Sequence, residues 1–226
     1  MCSRYDLTSP PEAVRAVFGY RMQPNFPPRE KIAPTEPVPI IRRGLDGEPE
    51  FALVRWGLIP GWVKDPRDFT TLFNARSETA LEKASFRNAM KRRRCLFPAN
   101  GFFEWTGPKG KRRPLYFHAP DDRVLAFAGL YEHWMGADGS EVETATILTC
   151  AANELVGQFH SRMPVILDTA DHAAWLDTNE VSDKEAHALL VPAPENWLVV
   201  QAVGKEPVEV PAADHQGAES RQGSLF

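Results

Sequence analysis

The chain has 226 residues, of which 43% are apolar and 25% charged, a balance typical of soluble globular proteins. No stretch approaches the roughly 20 apolar residues that cross a bilayer, so we expect a cytoplasmic protein with no membrane partner. The three cysteines are widely spaced and form no C-x-x-C pair, which argues against a disulfide framework or a zinc site.

The charge is unevenly distributed along the chain. Residues 1–118 carry 21 Lys and Arg against 12 Asp and Glu, a balance of +9, whereas residues 119–226 carry 5 against 18, a balance of −13. The densest basic clusters lie at 87–94 and 109–113. The basic half can face a polyanion such as nucleic acid, although most charge runs are only solvated surface.

The predicted secondary structure is dominated by short strands separated by turn residues. They lie at 38–42, 51–56, 95–97, 102–105, 115–118, 124–131, 144–150, 164–167 and 197–203. Helices are predicted at 11–18, 77–93 with a break near Ser85, 153–159, 170–176 and 182–190. Because no regular βαβ alternation appears, we expect an α+β fold, a single domain built on a mostly antiparallel, barrel-like sheet with flanking short helices.

The end of the chain differs in composition from the rest. Residues 205–226 are polar, contain proline and have few residues suited to a core. We therefore expect the domain to span 1–204 and residues 205–226 to form a flexible C-terminal tail.

Cys2 directly follows Met1, and its small side chain favours removal of the methionine. Trimming would leave an α-amine, with a typical pKa of about 7.7–8.0, and a thiol, with a typical pKa of about 8.5, on one residue. Such a 1,2-aminothiol can capture an aldehyde, the amine as a Schiff base and the thiol by closing a thiazolidine ring. The alternative is an incidental cysteine on a frayed terminus.

Four short blocks concentrate reactive polar residues beside Gly, Pro and aromatic residues. They are CSRY at 2–5, FNARSE at 73–78, GFFEW at 101–105 and HSRMP at 160–164. Each has a structural alternative when taken singly: Arg4 as a surface charge, Asn74 as a cap, Glu104 as the solvent-facing member of a strand, and His160 as a loop histidine.

Taken together, these blocks resemble the SOS response-associated peptidase (SRAP) family of abasic-site-processing proteins. The resemblance extends from residue 1 to about residue 203. It also includes IAPT at 32–35, RWGLIP-x-W at 55–62, NARSET at 74–79, RRCLFPANGFFEW at 93–105 and H-x-RMPVIL at 160–167. Ser3 replaces the glycine that such families usually carry after the cysteine, which restricts the backbone beside the nucleophile.

The resemblance implies a protein that binds single-stranded DNA containing abasic sites and bonds covalently to the ring-opened aldehyde through Cys2. Glu104 would shuttle protons, His160 would protonate or hydrogen-bond the sugar oxygen, and Asn74 would orient the adduct. The protein would be monomeric, associated with the nucleoid when bound to DNA, and would require no metal or cofactor.

The candidate DNA contacts are three arginines and two tryptophans. Arg4, Arg76 and Arg162 would bind phosphates, since a guanidinium matches phosphate oxygens. Trp62 and Trp105 would stack on bases. Structural ion pairing is the alternative for the arginines, and core packing is the alternative for Trp105.

Three rival functions remain open. A Cys2-dependent Ntn-type or thiol peptidase, or an amidohydrolase, would use a similar Cys, His and Asn set and would turn over its substrate. A lyase would cleave the strand by β-elimination from the Schiff base. A passive single-strand-binding module would not depend on Cys2.

Overall fold

The computed structural model describes residues 3–22, 25–108 and 110–204. Cys2, Lys109 of the second basic cluster and the tail predicted at 205–226 lie outside these residues. The strands are β1 (Tyr5–Leu7), β2 (Arg29–Ile32), β3 (Pro37–Arg43), β4 (Pro49–Trp56), β5 (Asn74–Arg76), β6 (Arg94–Ala99), β7 (Gly101–Thr106), β8 (Arg113–His118), β9 (Leu125–Met135), β10 (Glu141–Ala151), β11 (Arg162–Pro164), β12 (Ile166–Leu167) and β13 (Val199–Ala202). The helices are α1 (Pro11–Phe18), α2 (Arg87–Arg92), α3 (Glu154–Gly157), α4 (His172–Leu176) and α5 (Asp183–His187).

Five strands close into a barrel. Successive antiparallel pairings join β4 to β3, β3 to β6, β6 to β9 and β9 to β10. A parallel pairing of β10 with β4, which sets Thr144 opposite Arg55, completes the ring. The predicted α+β fold with a mostly antiparallel, barrel-like sheet is therefore confirmed.

A second sheet carries the start of the described chain. Its strand order is β13-β8-β7-β1-β2, and all its pairings are antiparallel. Tyr5 in β1 is fully buried and meets the rings of Trp56, Phe97 and Phe127 edge-on, with centroids 5.3–6.4 Å apart. These three residues lie on barrel strands, so the second sheet and the barrel share one hydrophobic core.

The helices are short and lie between the strands. The predicted helix at 11–18 is confirmed as α1, which has a proline in its first turn and ends at Gly19 with φ 72°. The helix predicted at 77–93 with a break near Ser85 is confirmed only in its second part: α2 begins at Arg87, whereas Ser77–Thr79 is a short 3-10 helix followed by turns. Between these two elements the chain forms hydrogen-bonded turns, which bury both Ala80 and Phe86 in the core. One straight helix would not bury both side chains.

The first basic cluster is only partly a surface feature. Arg94 is 1% exposed and donates hydrogen bonds to the backbone carbonyls of Met90, Trp175, Asp177 and Val181. It therefore joins α2 and α4 to the barrel and is not available to a polyanion. Within the described ranges, no helix is long and apolar enough to span a membrane.

Candidate functional site

The first described residues run along the strand that carries Glu104. Tyr5 pairs with Phe102 across the β1–β7 ladder, and the N–H of Phe103 donates to the carbonyl oxygen of Arg4 at 3.0 Å. The Arg4 guanidinium bonds the carbonyl of Ser3 at 2.7 Å. This pairing holds the backbone of residues 4–6, just after Cys2 in the chain, beside β7.

Glu104 is a buried carboxyl group, only 4% exposed, although alternation along its strand also allowed a solvent-facing position. Burial raises the pKa of Glu104, and the electrostatic influence of His160 opposes this rise. The structure thus brings two predicted site residues, 56 positions apart in the sequence, within electrostatic reach of each other. Such a carboxyl group retains its proton to higher pH than an exposed one and can both donate and accept protons.

His160 is held by the loop between α3 and β11. Its backbone N–H donates to the carbonyl of Val156 at 2.9 Å, and the backbone N–H of Arg162 donates to its Nδ1 at 3.0 Å. The carbonyl oxygen of Arg162 lies 3.1 Å from the same nitrogen, so Nδ1 accepts from the N–H in one neutral tautomer and donates to the carbonyl in the other. The loop therefore presents an imidazole with one nitrogen fixed by the backbone.

Strand β10 brings the second and fourth sequence blocks together. β5 pairs with it in parallel, which sets Asn74 opposite Ile147 and Arg76 opposite Thr149. β11 pairs with β10 in the antiparallel sense, with Arg162 opposite Ala151. Asn74 is half-buried and Arg76 is exposed.

Arg162 forms a fork-like ion pair with Glu78. Its Nη1 lies 2.5 Å from one Glu78 oxygen and its Nη2 lies 2.9 Å from the other. Nη2 also donates to the carbonyl and, at 3.2 Å, to the hydroxyl of Thr149. The Arg162 guanidinium holds the pKa of Glu78 below its usual value, and the charge of Arg76 adds to this effect. No role for Glu78 follows from the sequence, where the residue stands out only by its place in the 74–79 motif.

The two tryptophans have different surroundings. Trp62 is 59% exposed and meets Phe69 edge-on at 5.6 Å, beside a small apolar cluster of Ile59, Val63 and Trp134 that is separate from the main core. Trp105 is half-buried in β7, opposite Pro114. Trp62 therefore offers an exposed ring next to this small cluster, whereas Trp105 directly follows Glu104 in β7.

Metal-ligating side chains do not gather in the described ranges, where no group of three or more His, Cys, Asp or Glu is arranged to hold a metal ion. Cys95 and Cys150 are both buried, and burial raises the pKa of each thiol, that of Cys150 to about 11. Neither described thiol is therefore suited to act as a nucleophile near neutral pH.

Comparison with known proteins identifies relatives over most of the chain. The abasic site processing protein YoqW of Bacillus subtilis is 35% identical over 198 residues, which cover 85% of this chain and 87% of that protein. The abasic site processing protein HMCES of Xenopus tropicalis is 30% identical over an alignment that covers 85% of this chain and 70% of that protein.

Solved structures share the fold. A crystal structure of a Bacteroides thetaiotaomicron protein superposes with a TM-score of 0.82 at 28% identity, covering 90% of this chain and 92% of that one. One from Bordetella bronchiseptica has a TM-score of 0.79 at 31% identity, covering 90% of this chain and 100% of that one. The family described as SOS response associated peptidase (SRAP) matches residues 1–210. With the fold, the ordered motifs and these relatives in agreement, the chain belongs to the SRAP family.

Proposed function

We propose that this protein processes abasic sites in single-stranded DNA by bonding covalently to their aldehyde through Cys2 after removal of Met1. Relatives named abasic site processing proteins support the lesion as substrate. The observation that carries the proposal is the pairing of residues 4–6 with β7, the strand on which Glu104 is only 4% exposed.

The chemistry proceeds in two bond-forming stages. The α-amine of Cys2 adds to the aldehyde carbon, and loss of one water gives a Schiff base. The Cys2 thiolate then adds to the imine carbon while the nitrogen takes up a proton, which closes the thiazolidine ring. No oxidant, reductant or metal is consumed.

Glu104 is the proposed proton carrier in this sequence. Dehydration of the amine adduct needs an acid to protonate the departing oxygen, and amine attack needs a base. Since burial raises the pKa of Glu104, the same carboxyl group can fill both roles in turn. His160, with Nδ1 bonded to the backbone of Arg162, would use Nε2 to protonate or hydrogen-bond the sugar oxygen as the sugar ring opens.

The remaining candidates are assigned to binding and orientation. The amide of Asn74 both donates and accepts, which suits the orientation of the adduct. Arg4, Arg76 and Arg162 would contact phosphates flanking the lesion, and Trp62 and Trp105 would stack on neighbouring bases.

The decisive experiment incubates the Met1-trimmed protein with a single-stranded oligonucleotide that carries one abasic site. We expect a heat-stable, shifted band on a denaturing gel, formed in a one-to-one ratio with protein and absent for Cys2→Ala. Because Cys2→Ala keeps the α-amine, borohydride should still trap its Schiff base. A band of equal yield in Cys2→Ala would exclude the thiazolidine.

The same gel separates the rival activities. Strand-cleavage products without a stable band would indicate a lyase, because β-elimination from the Schiff base releases the strand. Multiple turnovers of a peptide or amide substrate that require Cys2 would indicate a hydrolase. DNA affinity that is unchanged in Cys2→Ala, with no covalent product in either protein, would indicate a passive binding module.

A further inference from the structure

Arg162 is held in place by more than its ion pair. Its side chain is only 15% exposed, and Nη2 donates to both the carbonyl and the hydroxyl of Thr149 on β10. These bonds keep the guanidinium beside Thr149 of β10 whether or not a carboxylate faces it. Its Nη1 and Nη2 are the atoms that meet Glu78.

Glu78 has the opposite character. Its side chain is 51% exposed, so it can turn into solvent without leaving a buried vacancy. The two Glu78 oxygens face Nη1 and Nη2 in the fork geometry that a guanidinium also uses to bind two phosphate oxygens. The charge of Arg76, on the neighbouring β5, also acts on this carboxylate.

We propose that Glu78 is a built-in competitor for DNA phosphate, occupying the anion position of Arg162 and Arg76 until a strand displaces it. This inference rests on the proposed function only in taking a DNA phosphate as the competing anion. The carboxylate lowers affinity for any single strand, with or without a lesion, because each bound strand must first displace it from Arg162. Glu78 is thus a residue that sets the affinity for single-stranded DNA, distinct from the groups that carry the covalent chemistry.

The test measures equilibrium binding of an undamaged single-stranded oligonucleotide by fluorescence anisotropy over a series of salt concentrations. Without an abasic site no aldehyde is present, so the cross-link does not enter. For Glu78→Gln we expect a Kd about 3- to 10-fold lower at low salt. Since the bound strand contacts Arg162 in both proteins, the number of phosphate contacts is the same, and the slope of log affinity against log salt should change by less than the value of about 0.7 for one additional phosphate contact on a single strand.

Glu82→Gln is the matched control, because it removes the same charge from an exposed carboxylate four residues along the chain. The gain in DNA affinity for Glu78→Gln should clearly exceed that for Glu82→Gln. Adding Glu78→Gln to an Arg162→Gln protein should give no gain over Arg162→Gln alone. Equal gains in the two single variants would overturn the proposal, since only net charge would matter.

Two other outcomes also overturn it. Weaker binding by a Glu78→Gln protein that melts at the wild-type temperature would make Glu78 a positioning group for Arg162. If neither the wild type nor any variant binds the oligonucleotide measurably, DNA phosphate does not compete with Glu78 for Arg162. A failed cross-link with an intact affinity gain would instead reject the proposed covalent function and leave the role of Glu78 standing.

Discussion

The hydroxyl group of Tyr116 donates to both carboxylate oxygens of Asp6, at 3.0 and 2.9 Å. Asp6 lies on β1 and Tyr116 on β8, so the bond crosses the intervening β7. Asp6 is 5% exposed, and this burial raises its pKa to about 6, although the Tyr116 bond acts to lower it. The strand that follows Cys2 is thus tied to its sheet by a titratable contact.

This contact predicts how stability depends on pH. The pKa of Asp6 rises from 3.8 to about 6 on folding, so the folded state binds this proton more tightly. Its contribution to stability is therefore present below about pH 4 and is lost as the pH rises through about 6. Between pH 4 and pH 7, we expect the free energy of unfolding of the wild type, measured in urea, to fall by about 2 kcal/mol relative to that of Asp6→Asn. A constant difference across this range would contradict the prediction.

Glu104→Gln should slow covalent capture without weakening DNA binding. The amide keeps the size of the side chain but does not carry the proton, and general acid–base catalysis contributes about 10²- to 10⁴-fold. Single-turnover cross-linking should therefore be about 100-fold slower or more, while affinity for an undamaged strand stays within about twofold. Glu82→Gln should react at the wild-type rate. Equal rates for Glu104→Gln and the wild type would rule out Glu104 as the proton carrier.

Arg94→Met should strongly destabilise the fold. The substitution removes four hydrogen bonds to backbone carbonyls in a site that is 1% exposed, and each buried carbonyl left unpaired costs about 1–3 kcal/mol. Arg92→Met, at the neighbouring exposed position, should change the free energy of unfolding by about 0.5 kcal/mol or less. Denaturant unfolding at pH 7 measures both, and comparable losses would contradict the structural role of Arg94.

Trp62→Ala should affect DNA affinity more than stability. The side chain is 59% exposed, and base stacking on such a ring is worth about 1–3 kcal/mol, or about 5- to 150-fold in Kd. Leu53→Ala, which truncates another exposed apolar side chain, should leave the Kd unchanged. Anisotropy with an undamaged strand checks this. An unchanged Kd for Trp62→Ala would show that the bases do not stack on Trp62.

Gly129→Ala should strain the barrel. A Cβ at this position of β9 would lie 2.4 Å from the Phe97 ring and 3.0 Å from the carbonyl oxygen of Thr146. Overpacking of this kind costs about 1–3 kcal/mol. Gly157→Ala, where no atom lies within 4 Å of the added Cβ, should show no such steric loss. Combining Gly129→Ala with Phe97→Leu should recover part of the stability, and full additivity of the two losses would argue against the clash.

The local sequence identified the elements whose patterns are self-contained. The strands predicted at 38–42 and 51–56 lie within β3 and β4, and α1 has the predicted bounds. It did not reveal β1, β2 or β5, which have only three or four residues each. These strands exist because distant partners pair with them, as Phe102 does with Tyr5, and a short window of sequence contains no trace of such a partner.

For the site, the four sequence blocks already contain the chemical groups: the aminothiol that Cys2 can provide, a carboxyl group at Glu104, an imidazole at His160 and a guanidinium at Arg162. The environments of these groups come from the fold. It buries Glu104 near His160, places Arg94 in the core although it closes a basic run, and sets Glu78 against Arg162, 84 residues away. Burial, pKa and charge pairing depend on neighbours brought in from remote parts of the chain, so they follow from the packing of whole strands.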